Sequence, residues 1–263
     1  MQEILQALSL VKSFRLKSKQ RSLVSKTYRL KKALDDLSFS ANAGEIYGLL
    51  GPNGAGKTTA MRIIAGLIKS DGGDAIVDGF SVRENTMEVK RRIGFLSDEL
   101  RLDGFFSPSY LFDFFSALRG VSKNDAKIRK ERLFTLFGID RFSREKVASL
   151  SNGMRQKVAF VLSIAHDPDI IIFDEPTNGL DIVAARTVVD FLLEMKRQGK
   201  SILLSTHIFS LVEKICDRVG IIIDGRLVFC DSIPRIIQKT TLEGCFFSLY
   251  DQPQVHSDLE LTN

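Results

Sequence analysis

The run Gly51-Pro-Asn-Gly-Ala-Gly-Lys-Thr58 satisfies the pattern G-x-x-x-x-G-K-[ST] at every fixed position. Glycines at this spacing let the main chain curl so that successive N–H groups point inward. A helix start behind them adds partial positive charge, and the result is a phosphate cradle. Lys57 can then reach the outer phosphates, and the Thr58 hydroxyl can ligate Mg²⁺. Gly51, Pro52, Asn53, Gly54, Ala55, Gly56, Lys57, Thr58 and the adjoining Thr59 are the candidate nucleotide contacts. Further along, Ile170-Ile-Ile-Phe-Asp174-Glu175 ends an apolar run in two acids. Beside a phosphate loop, Asp174 can hold the Mg²⁺ shell, and Glu175 can orient and deprotonate an attacking water. Leu150-Ser-Asn-Gly-Met154 adds a third piece. Ser151 can cap a helix, and Asn152-Gly153 leaves the first N–H groups of that helix open to an anion.

These groups need a scaffold, and the flanking residues specify one. Glu45–Leu50 reads as a strand and Thr59–Ala65 as a helix, the setting a phosphate loop requires. Gln6–Phe14 and Leu34–Ser40 read as strands joined by a long basic turn. Ala75–Asp78 and Arg92–Leu96 read as two more. Residues 100–150 carry no strand pattern. Ser107-Pro108 starts a helix there, and Ser122 with Asp125 opens another that Gly138 closes. A helix is expected from Ser151 to Pro168. Ile170–Phe173, Ser201–Ser205 and Arg218–Ile223 are short continuous apolar runs, as in buried parallel strands, with a helix over Ile182–Gln198 between the first two. The expected fold is α/β: a P-loop NTPase core with a mostly parallel central sheet, an antiparallel β part at about 1–45 and 75–82, and a helical insertion at about 98–168. One domain is expected over 1–248, with a frayed polar tail at 249–263.

Composition bounds the class. The chain has 263 residues, 44% hydrophobic and 26% charged, which is ordinary for a globular protein. No apolar stretch approaches the roughly 18 residues of a membrane span, and no secretory segment opens the chain, so a cytosolic protein is expected. Cys216, Cys230 and Cys245 are too few and too scattered for a disulfide framework or a metal cluster and read as reduced thiols. The net charge is +5, and between Ile4 and Leu34 there are nine Lys or Arg residues and no acid. Such a patch can meet anionic lipid or nucleic acid. It lacks the interleaved aromatics of a base-stacking surface, so it reads as a solvated hairpin tip and nucleic acid is not an expected partner.

Four segments, in this order, resemble the ATP-binding subunits of ABC transporters: Gly51–Thr58 (Walker A), Leu150–Met154 with Arg155-Gln-Lys after it (signature), Ile170–Glu175 (Walker B and the catalytic acid), and His207 after Ser205-Thr206 (switch histidine). Asn178-Gly-Leu-Asp181 resembles the D-loop between the last two. The resemblance implies ATP and Mg²⁺ as ligands. Lys57 and the amides of Gly54–Lys57 would hold the β- and γ-phosphates, Thr58 and Asp174 would organise Mg²⁺, Glu175 would serve the water, and His207 would link the γ-phosphate to Glu175. It implies two copies packed head to tail, with each ATP between one phosphate loop and the other copy's Ser151–Gly153, and with Asp181 at the seam. The family stacks an aromatic on adenine. Tyr28 has the usual separation from the loop and Phe14 the usual place at the end of the first strand, so both stand as candidates. Two departures are visible. The family's glutamine after the Arg92–Leu96 strand is replaced by Ser97-Asp98-Glu99, which leaves Asp98 as the residue to meet Mg²⁺ through water. Asn152 and Met154 replace the commoner Gly and Gln of the signature, and the Asn152 N–H remains available. His166 and His256 match no motif.

The resemblance further implies an ATPase that powers export through a separate membrane permease, at the cytoplasmic face of the membrane, as a homo- or heterodimer with a second ATPase subunit. The insertion, with Phe105, Phe106, Phe112, Phe114 and Phe115, would receive a short permease helix in a groove, and four of these five rings are expected in the core. A soluble ABC ATPase acting on nucleic acid or ribosomes is the alternative the basic segment suggests. A non-hydrolytic regulatory dimer is a third reading, suggested by Asp98 and the altered signature.

Overall fold

Two kinds of apolar pattern build two different sheets in the computed structural model, which describes residues 2–15, 30–97 and 102–251. Strands β1 (Glu3–Arg15) and β2 (Leu30–Asn42) mix buried and exposed side chains and pair antiparallel, as strands with one wet face do. β3 (Ile46–Leu50) is buried along its whole length and runs into the phosphate loop and helix α1 (Lys57–Ile64). β4 (Gly72–Val77) and β5 (Phe80–Ser81) complete the first sheet, in the order β2-β1-β4-β5. Helix α2 (Thr86–Arg92) then leads into β6 (Ile93–Leu96).

A helical arm follows, made of α3 (Pro108–Leu118), α4 (Lys123–Phe137) and α5 (Asn152–Ser163). Each starts on the serine that the sequence nominated. Ser107, Ser122 and Ser151 accept the N–H groups of Tyr110, Asp125 and Met154 at 3.3, 3.1 and 3.3 Å. The chain returns through β7 (Ile170–Asp174), α6 (Ile182–Arg197), β8 (Ser201–Thr206), α7 (Phe209–Ile215) and β9 (Arg218–Ile223). It ends in β10 (Arg226–Ser232), α8 (Ile233–Ile237) and α9 (Leu242–Tyr250). The second sheet has the order β10-β9-β3-β8-β7-β6, parallel throughout except for the β9–β10 pair.

Register fixes what this sheet can do. Leu50 pairs with Thr206 and Asp174 with Ser205, so β3, β8 and β7 end level with one another. The next residues, Gly51, His207 and Glu175, therefore emerge side by side at the carboxyl ends of parallel strands, where α/β sheets bind ligands. The arm is anchored to the same place: Phe160 on α5 lies 4.9 Å from Phe173 on β7 and 5.0 Å from Phe137 on α4.

Several expectations need correction. The helix from Ser151 ends at Ser163 rather than at Pro168, because the chain turns through Asp167 at a left-handed φ of 57° before β7. Strand β10 and helix α2 carry no strong periodicity and were not foreseen. α9 continues two residues past Ser248, since Phe246 stacks on Tyr250 at 5.6 Å. Only Phe112 of the five arm phenylalanines is fully buried. Phe106 and Phe115 are partly buried, while Phe105 and Phe114 are 69% and 49% exposed.

His166, in the turn before β7, donates its Nε2 proton to the Ile93 carbonyl at 3.0 Å, the only role open to it against an acceptor. Burial first, then the charge of Arg119, pushes its pKa down to about 4. The folded state thus takes up this proton less readily than the unfolded chain does. Its stabilising contribution is complete above the unfolded pKa near 6.5 and is lost as pH falls toward 4. Urea titrations should show wild type losing about 2 kcal/mol more than His166→Gln between neutral pH and pH ~5. Parallel losses in the two proteins would disprove it.

Candidate nucleotide site

The phosphate loop is shaped by what presses on it. Gly56 has φ 108°, and a Cβ there would lie 2.5 Å from the Ala33 carbonyl. A Cβ on Gly51 would overlap the Ile222 carbonyl. Both glycines are therefore required by backbone from the neighbouring strands. α1 starts on Gly56 with no side-chain cap and no acid in its first turn, which leaves its positive end to an anion. Lys57 is buried and donates to the carbonyls of Gly51 at 2.6 Å and Pro52 at 3.1 Å. Burial lowers its pKa, and the nearby Glu175 and Asp174 oppose that shift.

The acids are placed by the β7–β8 pair. Asp174 is buried and accepts a hydrogen bond from Ser205 Oγ. Glu175 has φ 52°, a left-handed conformation that few non-glycine residues adopt. It is held there because its N–H donates to both the carbonyl and the Oγ of Ser205, at 3.1 and 3.2 Å. The strained turn aims the Glu175 carboxylate at His207, whose Nδ1 lies 2.9 Å from Oε1. Since the carboxylate accepts, the imidazole carries its proton on Nδ1 and turns Nε2 outward.

A cavity of about 380 Å³ joins these parts. It is lined by Asn53, Gly54, Gly56, Lys57, Thr58, Thr59, Asp174 and Glu175, and also by Phe14, Lys31, Ala33 and Arg62. Of the two aromatic candidates, Phe14 is thus at the cavity, whereas Tyr28 lies outside the described residues, as does Asp98. Thr58 and Asp174 supply two hard oxygen donors. Among the described residues no cluster of three His, Cys, Asp or Glu side chains could hold a metal unaided. Two oxygens from protein, with the rest from phosphate and water, suit Mg²⁺. Ser151 and Gly153 do not line this cavity. Ser151 is exposed, and Gly153 faces the Gly179 carbonyl of the D-loop-like segment. Asp181 caps α6 by accepting the Ala184 N–H at 2.8 Å.

Sequence reasoning missed Ser205, Lys31, Ala33 and Arg62. No motif marks them: strand pairing brings Ser205, Lys31 and Ala33 to the site, and α1 carries Arg62 there. Ser205→Ala removes the donor to Asp174 and one acceptor for the Glu175 N–H. We expect a stability loss of about 1–2 kcal/mol, read as a lower urea midpoint with an unchanged slope. An unshifted midpoint would contradict this role.

Comparison with known proteins agrees with this geometry. Residues 34–178 match the family model for the ABC transporter. The chain is 39% identical over 213 residues to the ABC transporter ATP-binding protein NatA of Bacillus subtilis, covering 81% of this chain and 87% of that one. It is 35% identical over 222 residues to the Nod factor export ATP-binding protein I of Burkholderia orbicola, covering 84% and 72%. Among solved structures, an ATP-binding subunit of an ABC transporter superposes with a TM-score of 0.83 at 26% identity, covering 94% of this chain and 99% of that one. The ATP-binding cassette MJ0796, solved as a dimer in a post-hydrolysis state with ADP and Pi, superposes with a TM-score of 0.77 at 21% identity, covering 87% and 98%.

Proposed function

The chain belongs to the ABC transporter family as an ATP-binding, ATP-hydrolysing subunit, and from that premise we propose that it closes ATP between its own phosphate loop and the Ser151–Gly153 segment of a second ATPase subunit, driving export through a separate membrane permease. The observation that carries this reading is the separation of the two anion-binding helix starts. The start of α5 is open to solvent and away from the cavity of its own chain, so a second subunit is needed to cover the phosphates. Ile182 and Val183, beside Asp181, are 89% and 77% exposed, an apolar pair that such a subunit would cover. That the MJ0796 cassette was solved as a dimer supports pairing with a second subunit.

Within the closed site each residue has a defined task. Lys57 leaves its loop carbonyls for the outer phosphates. Thr58 and Asp174 would hold Mg²⁺, which when bound would neutralise phosphate charge. Glu175 orients a water and accepts its proton, and His207, fixed through Nδ1, presents Nε2 toward the terminal phosphate. Loss of the γ-phosphate removes the shared charge that holds the two subunits together, and the dimer opens.

The permease contact falls on the arm. Phe106 stacks on Tyr110 at 4.6 Å, Tyr110 on Phe114 at 6.3 Å, and Phe105 meets Phe106 edge-on at 5.4 Å. This aromatic ladder, half in solvent, fits a short apolar helix. Among the described residues no helix is long and apolar enough to cross a membrane, so the membrane-spanning part is assigned to the partner. Export is favoured over import by the similarity to the Nod factor export ATP-binding protein.

Glu175→Gln should keep MgATP affinity while lowering phosphate release about 10²–10⁴-fold. Undiminished release would refute the role of this carboxylate. Lys57→Ala should weaken ATP binding itself, measured by calorimetry. The double variant Phe105→Asp/Phe114→Asp should keep the wild-type melting temperature, because both rings are exposed, yet fail to co-purify with the permease that wild type retains. Retained co-purification would move the docking surface elsewhere.

A further inference from the structure

We propose that Lys31 is a second phosphate-binding cation of the nucleotide site, acting from outside the phosphate loop on the polyphosphate chain of a nucleoside di- or triphosphate. The inference rests on the nucleotide reading above. Its basis is the fate of three lysines on the β1–β2 ribbon. Lys12 pairs with Asp71 at 2.7 Å, and its ammonium also lies 5.6 Å from the centre of the Phe14 ring. Lys32 pairs with Asp35, which also takes Arg226. Lys31 pairs with no carboxylate among the described residues.

Its direction follows from register. Lys31 stands opposite Phe14 in the antiparallel pair, so the two project from the same face, and both line the phosphate cavity. Lys32, one residue on, points to the other face, where Asp35 and Arg226 lie. The Lys31 ammonium reaches the loop itself: Nζ lies 3.9 Å from the position of a Cβ on Gly54. A second ammonium, Lys57, lines the same cavity, and its hydrogen bonds there go to carbonyls of the loop. The lining sets three cations, Lys31, Lys57 and Arg62, against two acids, Asp174 and Glu175, so the repulsion among the cations is only partly balanced by protein. A polyphosphate with three or four negative charges relieves that repulsion, whereas adenosine does not. Phe14 and Lys31 thus form one pair on one strand ribbon, a ring for the base and a charge for the phosphates.

The test is calorimetric titration of MgATP, MgADP and adenosine into wild type, Lys31→Gln, Lys31→Arg and Lys57→Ala. Lys31 is exposed and makes no ion pair among the described residues, so its variants should fold. At about 0.05 M salt, Lys31→Gln should weaken MgATP and MgADP about three- to tenfold, and Lys31→Arg should hold near wild type. At about 0.5 M salt the gap between Lys31→Gln and wild type should close, because screening removes an exposed charge contact. Unchanged affinity in Lys31→Gln, with ATP binding lost in Lys57→Ala, overturns the role of Lys31 and leaves the nucleotide site standing. A loss that is equal at both salt concentrations, or that extends equally to adenosine, also overturns it and marks a packing effect. Wild-type affinity in both Lys31→Gln and Lys57→Ala would sink the nucleotide reading itself.

Discussion

The phosphate loop keeps its shape because backbone from both sheets is pressed against it. The Gly225 N–H, in the β9–β10 turn, donates to the Ala55 carbonyl at 3.0 Å, and the Gly225 carbonyl accepts the Asp35 N–H of β2 at 3.0 Å. The Ala33 carbonyl closes on Gly56 so tightly that no side chain fits between them. The loop is therefore clamped between the antiparallel ribbon and the end of the parallel sheet. Its inward N–H groups are organised by the fold before any ligand arrives, and less ordering is left for binding to drive. The same clamp brings the antiparallel sheet to the site: β2 supplies Ala33 to the loop wall and Lys31 and Ala33 to the cavity.

A second constraint is electrostatic. Lys57 is taken out of water, which disfavours its charge, and Glu175 and Asp174 offset part of that effect. The acids in turn depend on β8. Ser205 serves both of them, one through its hydroxyl proton and the other through its carbonyl and hydroxyl oxygens. The left-handed turn at Glu175 costs on the order of 1–3 kcal/mol, and it persists because β8 holds its N–H. The strain sits at the residue that carries the carboxylate toward His207.

What was legible in the sequence was local. The phosphate loop, the serine caps at 107, 122 and 151 and the buried apolar runs each carry their instructions within a few residues. What was illegible depends on pairing. β10 is a partly exposed edge strand containing Arg226, Asp231 and Ser232, so no burial pattern announces it. Ser205 looks like any strand-end serine until β7 is laid beside it. The arm phenylalanines show the same limit. Phe112 and Phe114 are two residues apart on one helix and so point to different sides, one against Phe134 on α4 and the other into solvent. Composition counts both as apolar, and only the packing of α3 on α4 tells them apart.

The two side chains that meet in the His207–Glu175 contact ride on different bodies. Glu175 follows β7, whose Phe173 rests on Phe160 of the arm. His207 precedes α7, whose Phe209 packs on Phe246 of α9 at 5.4 Å, while Glu213 accepts the Leu242 N–H at 2.9 Å. The 2.9 Å contact between His207 and Glu175 is thus a joint between the arm and the C-terminal helices. Dense aromatic packing behind each partner lets neither absorb a displacement locally. The arm and the C-terminal helices thus each carry one end of this hydrogen bond, and a shift of one relative to the other acts on it.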